Sequence, residues 1–133
     1  MILSFTVPGE PVPLARARVV STGFGKGRRT HAYTPEKSAA YKEKVGWAAK
    51  AAIARLRGSL GTWPKAGRCT LSVEALCTSD AGDLDNHVKM ASDGIQKIVF
   101  LNDRQVDEIH ARRTLVETGA ELRVSVQFPD EKG

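Results

Sequence analysis

Apolar and polar residues alternate along several stretches of this chain, and in two others the apolar positions recur at helical spacing. Cys69, Leu71, Val73, Ala75 and Cys77 alternate with Thr70, Ser72 and Glu74, the pattern of a strand with one face buried. Leu122, Val124, Val126 and Phe128 repeat it near the end of the chain. Residues 2–7 give a shorter version, with Phe5 and Val7 on one side, stopped by Pro8, Pro11 and Pro13. Residues 105–115 read as a further strand with a less regular pattern. Between these lie two helical stripes. Tyr41, Val45, Ala48, Ala52 and Leu56, flanked by Ala49 and Ile53, follow a start signal at Thr34-Pro35-Glu36 and precede a stop at Gly58. Val88, Ala91, Ile95 and Ile98 predict a second helix over about 86–98; Asp93-Gly94 inside it is also a turn signal, but the stripe continues past it.

The order β-α-β-α-β-β predicts an α+β fold, a mixed four-stranded sheet with two helices packed on one face. The last two strands, joined at Thr118-Gly119-Ala120, are expected to form an antiparallel hairpin. Residues 8–34 form a long connection rich in Pro, Gly and Arg, and loops of that length in ordered domains usually have a use. The arms around residues 21–25 suit a hairpin. At 133 residues the chain is expected to be one domain.

Charge sharpens the picture. The net charge is +5, but its distribution is uneven: residues 16–57 hold eleven Lys and Arg against two Glu, and the remainder nine against thirteen Asp and Glu. A basic segment beside an acidic remainder suits a polyanionic partner meeting a carboxylate site, although a solvated basic helix face gives the same count. No apolar run approaches the roughly 20 residues of a membrane span. The N-terminus lacks the basic and apolar regions of a secretory signal, so a cytoplasmic location is expected. Cys69 and Cys77 lie about 26 Å apart on one predicted strand, too far for a disulfide, and are expected to be buried thiols.

The chemistry concentrates in Asp83-Leu84-Asp85-Asn86-His87-Val88-Lys89, then Asp93, then Asn102-Asp103-Arg104-Gln105. Asp83 and Asp85 are two apart in extended chain and project the same way. Hard oxygen donors of this kind suit Mg²⁺ or Mn²⁺. Phosphodiester cleavage needs such an ion, to neutralise the phosphate and to make hydroxide available near neutral pH. Lys89 supplies a point charge for the phosphate. Simpler roles exist for several of these residues. Asp85 or Asn86 fits a helix cap, Asp93 an i,i+4 ion pair with Lys89, Asp103 a turn, and His87 packing or surface. None of the three histidines is assigned a catalytic role. Asp103 joins the first pair only if its strand lies beside the one ending near Cys77.

This constellation resembles the RusA family of Holliday junction resolvases of bacteria and their prophages. That family carries an Asp-x-Asp-Asn-x-x-Lys run opening a helix, an Asp four residues later, and an Asp-Asp-x-Gln-Val turn. Pro11-Val12-Pro13, Arg16-Ala17-Arg18 and Tyr33-Thr34-Pro35 also match the opening of prophage members. Two departures stand out. Asn102 replaces the first Asp of the pair, so the metal is not placed on it, and Ala17 stands where proline is more usual. The resemblance implies a homodimeric crossover junction endonuclease of recombination and repair. Asp83, Asp85 and Asp103 would bind Mg²⁺ (Mn²⁺ substituting), with Lys89 at the phosphate and Asn86, Asp93 and Gln105 in support. Arg16, Arg18, Lys26, Arg28 and Arg29 would grip backbone phosphates. The products would be paired symmetric nicks with ligatable 5′-phosphate ends. Two other functions fit the same residues: a non-catalytic DNA-binding protein, and a metal nuclease of flaps, forks or duplex.

Overall fold

The computed structural model describes residues 1–15, 35–56, 62–80 and 82–129. Their elements are β1 (Ile2–Pro8), α1 (Pro35–Arg55), β2 (Cys69–Cys77), α2 (Leu84–Ile95), a single 3-10 turn (Asp103–Gln105), β3 (Val106–Leu115) and β4 (Glu121–Gln127). The four strands form one mixed sheet in the order β1-β4-β2-β3. Leu3, Phe5, Val7, Leu71, Val73, Ala75, Leu122, Val124 and Val126 all turn to the side covered by the two helices, where Val45, Ala49, Met90, Ala91 and Ile95 meet them. The predicted α+β architecture is the observed one.

The expected closing hairpin is not formed. β4 pairs antiparallel with both β1 and β2, and β3 lies on the far side of β2, parallel to it. The reason lies in the side chains. β4 buries alternate residues, which suits a central strand. β3 carries Asp107, Glu108, His110, Arg112 and Arg113 and is mostly exposed, as edge strands tend to be. The short connection after Leu115 needs to cross only one strand, about 10 Å, well within its reach.

The second helix is shifted from the predicted 86–98. Asp83 is extended (φ −83°, ψ 149°) and caps Leu84, while Gln96 returns to extended geometry and Lys97 has φ 71°. Ile98 continues the apolar stripe from a tight turn rather than from the helix, because its side chain still reaches α1 at Gly46. The turn signal at Asp93-Gly94 has a different meaning. A Cβ on Gly94 would lie 2.8 Å from Cγ1 of Val45 and 3.3 Å from the carbonyl oxygen of Lys42. Gly94 is therefore where α2 crosses α1. Gly94→Ala is expected to lower stability by about 1–3 kcal/mol through overpacking, against the roughly 1 kcal/mol alanine gains in helix propensity. Urea denaturation checks this, and an unchanged or raised midpoint would show that the helices separate without cost.

Cys69 and Cys77 are free and buried at the two ends of β2. Burial, with Asp107 nearby, pushes the Cys69 thiol up to about 11. Among the described residues no helix is long and apolar enough to cross a membrane.

Candidate active site

The first acidic pair opens α2. Asp83 occupies the cap position, but its side chain makes no capping hydrogen bond, and both it and Asp85 are exposed. The cap thus falls on Asp83 rather than on Asp85 or Asn86, and its carboxylate is left for other work. The backbone around it is held from three sides. The carboxylate of Glu10 accepts from the Thr78 amide at 3.0 Å and from its hydroxyl at 2.7 Å. The Arg113 guanidinium donates to the carbonyl of Gly82. Gly82 itself has φ 84°, and a Cβ there would lie 2.6 Å from Cγ of Pro13, so only glycine fits. The Leu14 amide donates to the carbonyl of Asn86 at 3.0 Å, and the Ala15 amide to Oγ of Ser38 at 3.0 Å. His87 is buried among the packing, not presented to the site.

Asp103 sits at the other end of the helix. Asn102 caps the 3-10 turn, its Oδ1 accepting from the Arg104 amide at 2.8 Å. Gln105 is buried and holds the turn to the loop before β2. Its Oε1 accepts from the amides of Leu101 (2.9 Å) and Asn102 (3.0 Å), and its Nε2 donates to the carbonyls of Lys65 (3.0 Å) and Gly67 (2.8 Å). Gln96 Oε1 accepts from the Asp103 amide at 3.1 Å. With the backbone so fixed, the exposed Asp103 lines a cleft of about 190 Å³ between α2 and β3 together with Lys89, Ser92 and Asp93. No ion pair links Lys89 to Asp93 there; β3 and its neighbours hold ion pairs of their own, such as Arg68–Asp107 and Glu108–His110.

The structure therefore brings Lys89, Asp93 and Asp103 into one cleft and leaves Asp83 and Asp85 apart from them. Asp93 lies eight residues along α2 from Asp85, a rise of about 12 Å. The adjacency of β3 and β2 is present, but the strands are parallel. The end of β3 that reaches Cys77 is Leu115, and the amide of Val116 just beyond it donates to the Cys77 carbonyl at 2.8 Å, whereas Asp103 precedes the opposite end. Among the described residues no three His, Cys, Asp or Glu side chains converge to hold a metal. The donors are the right chemical kind for Mg²⁺, yet one chain does not gather them.

Arg16, Arg18, Lys26, Arg28 and Arg29 lie outside the described residues, as does the expected hairpin around 21–25. The described chain stops at Ala15, which is fastened beside the first turn of α2 and the start of α1. Glu10 and Arg113 escaped sequence reasoning because each is a lone polar residue whose partner lies far along the chain, at Thr78 and Gly82, and Gln96 because its partner is a backbone amide. A larger concavity of about 850 Å³ lies on the open face of the sheet, but its carboxylate, Glu74, is taken by Arg123 at 3.4 Å.

Residues 8–127 match a family model described as endodeoxyribonuclease RusA. No curated protein matches the chain.

Proposed function

Because the chain belongs to the endodeoxyribonuclease RusA family, we propose that it is a Mg²⁺-dependent nuclease that resolves four-way DNA junctions in recombination and repair. On this reading it works in the cytoplasm as a homodimer and makes paired symmetric nicks. Asp83, Asp85 and Asp103 are its acidic ligands, with Mn²⁺ able to replace Mg²⁺. Lys89 meets the scissile phosphate, and Arg16, Arg18, Lys26, Arg28 and Arg29 hold the DNA backbone. When bound, the ion would neutralise the phosphate and activate water.

The observation that carries the reading is the surroundings of α2. Exposed Asp83 and Asp85 open the helix, Lys89, Asp93 and Asp103 share a cleft further along it, and the sequence is strongly basic over residues 16–57. Carboxylates facing a polyanion repel it unless a cation intervenes, so their presence next to a basic segment favours metal-assisted cutting over simple binding. Contacts from such basic residues to backbone phosphates would read branch shape rather than base sequence.

A panel of labelled four-way junction, flap, fork and linear duplex tests it, each with Mg²⁺, Mn²⁺, Ca²⁺ or chelator. The junction is expected to be nicked at least about tenfold faster than the other substrates, only with Mg²⁺ or Mn²⁺, and the products to reseal with ligase. Equal cutting of flaps or forks would remove junction specificity. Junction binding in every lane with cutting in none would leave a DNA-binding protein.

A further inference from the structure

The face of α1 turned away from the core carries side chains that the acidic residues around α2 do not use. α1 buries Tyr41, Val45, Ala49 and Ala52. Trp47 stands two residues beyond Val45, about 200° around the helix, and is 64% exposed. Tryptophan is usually well buried, because its apolar surface is large. The neighbouring position shows why no large side chain fits between the helices here. A Cβ on Gly46 would lie 3.1 Å from Cδ1 of Ile98 and 3.2 Å from the carbonyl oxygen of Gly94.

Beside the indole a groove of about 460 Å³ runs between the two helices, lined by Gly46 and Gly94 and by Lys42, Glu43 and Lys50. Lys42 and Lys50 are eight residues apart with Trp47 between them, a rise of about 12 Å. The Lys50 ammonium lies 4.8 Å from the indole centroid. Over its whole length α1 carries five Lys and Arg against two Glu. Among the described residues the ion pairs lie on or beside the sheet, not on this helix. An exposed aromatic ring set among lysines suits a nucleic-acid base, stacked on the ring, with its flanking phosphates on the cations. Glu43 disfavours a bare phosphate in the groove itself, since the like charges repel. The groove also lies close to the acidic cleft. Asp93 and Gly94 are consecutive on α2; the first lines the cleft with Lys89 and Asp103, the second the groove with Trp47. The last turn of α2 is the ridge between them, about 10 Å across, or about three nucleotide steps of one strand.

We propose that Trp47 stacks on an unpaired base at the branch point of the DNA, with Lys42 and Lys50 on the flanking phosphates, and that this contact makes the protein favour branched over linear DNA. It rests on the nuclease reading for its substrate and on α1 for its geometry. In linear duplex each interior base is stacked between neighbours, and taking one out costs energy; at a branch that stacking is already interrupted. A free stacking surface therefore rewards a branch and gains little on duplex. The lysines attract both forms alike, so discrimination falls to the ring. Lys50 is no obstacle. A cation over an exposed ring holds more weakly than a stacked base, and the displaced ammonium has a phosphate to meet.

Gel shifts in Ca²⁺, with a four-way junction and a linear duplex of the same arm sequences, test this without cutting. Trp47→Ala is expected to weaken junction binding about tenfold and duplex binding less than about twofold, while Trp47→Phe keeps most of the junction affinity. Lys50→Ala should weaken both alike and lower the salt slope by about one. Equal losses on junction and duplex from Trp47→Ala, or no loss on either, overturn the proposal. A second measurement reads the ring itself. Trp63 packs edge-on against Phe128, so Trp63→Phe keeps an aromatic contact there and leaves Trp47 as the one indole. Its emission is expected to be that of a water-exposed indole, open to acrylamide in the free chain and shielded once junction is added. An indole already shielded in the free chain, by its own residues or by a second copy, overturns the proposal, as does a Trp47→Ala chain that melts far below its parent. A wild-type chain that binds junctions and never cuts ends the nuclease reading instead, and the affinities still decide the role of Trp47.

Discussion

Asp83→Asn is expected to abolish junction cleavage while leaving folding and junction binding intact. The loss should reach at least about a thousandfold, the several kcal/mol that a charge-neutralising ion contributes to a phosphoryl transition state. The local structure makes this substitution clean. Asp83 stands at the cap of α2 without using its side chain as a cap, and asparagine is as good a capping residue as aspartate. The melting temperature should move by no more than about 2 °C, the small change expected of surface substitutions. Binding, read by gel shift in Ca²⁺, should hold or tighten slightly, because one negative charge leaves a surface that meets phosphate. Cutting at the wild-type rate would remove Asp83 from the site. Lost cutting together with a large drop in melting temperature would mean that the carboxylate supports the fold.

The largest effect on stability is expected at Gln105, which touches no reacting group. Gln105→Leu keeps much of the volume and removes four hydrogen bonds, to the amides of Leu101 and Asn102 and the carbonyls of Lys65 and Gly67. Two of these partners stay near the surface and regain water. The carbonyl of exposed Gly67 does so too, whereas that of buried Lys65 does so less readily, at about 1–3 kcal/mol for a stranded group. The expected cost is about 2–4 kcal/mol by denaturant titration. Activity should fall as well, because the same side chain sets the turn that presents Asp103. Gln105→Glu separates the two effects, since it can still accept from both amides while losing its donors. A Gln105→Leu variant within about 0.5 kcal/mol of the parent would show that the turn holds without this clamp.

Much of the fold was legible because its strands bury one face against two helices. β2 begins and ends where its alternation does, at Cys69 and Cys77. The strand order was not legible. A five-residue, glycine-containing link between two strands normally joins neighbours, and only the burial of β4 on a central register separates this case from a hairpin. The boundaries of α2 slipped because Asp83 caps the helix through its backbone alone and because Ile98 continues the stripe from a turn. The motif residues were legible by spacing. Their three-dimensional arrangement was not, since it depends on whether β3 runs with β2 or against it, and alternation carries no direction. The parallel run is what sends Asp103 to the far end.

The order β1-β4-β2-β3 also bears on how the chain comes to be folded. β1, the first of these four strands to be synthesised, has β4 as its sheet neighbour, and β4 is the last of the four. Pairs so remote in sequence are slow to close, because the loop entropy falls due before any contact repays it. Residues 69–115, by contrast, hold β2, α2 and β3 together with every aspartate named above, and are contiguous. On a translating ribosome that acidic unit emerges whole while β1 waits unpaired for the C-terminal strand. Limited proteolysis of stalled chains would show this as early protection of 69–115 and late protection of the N-terminus.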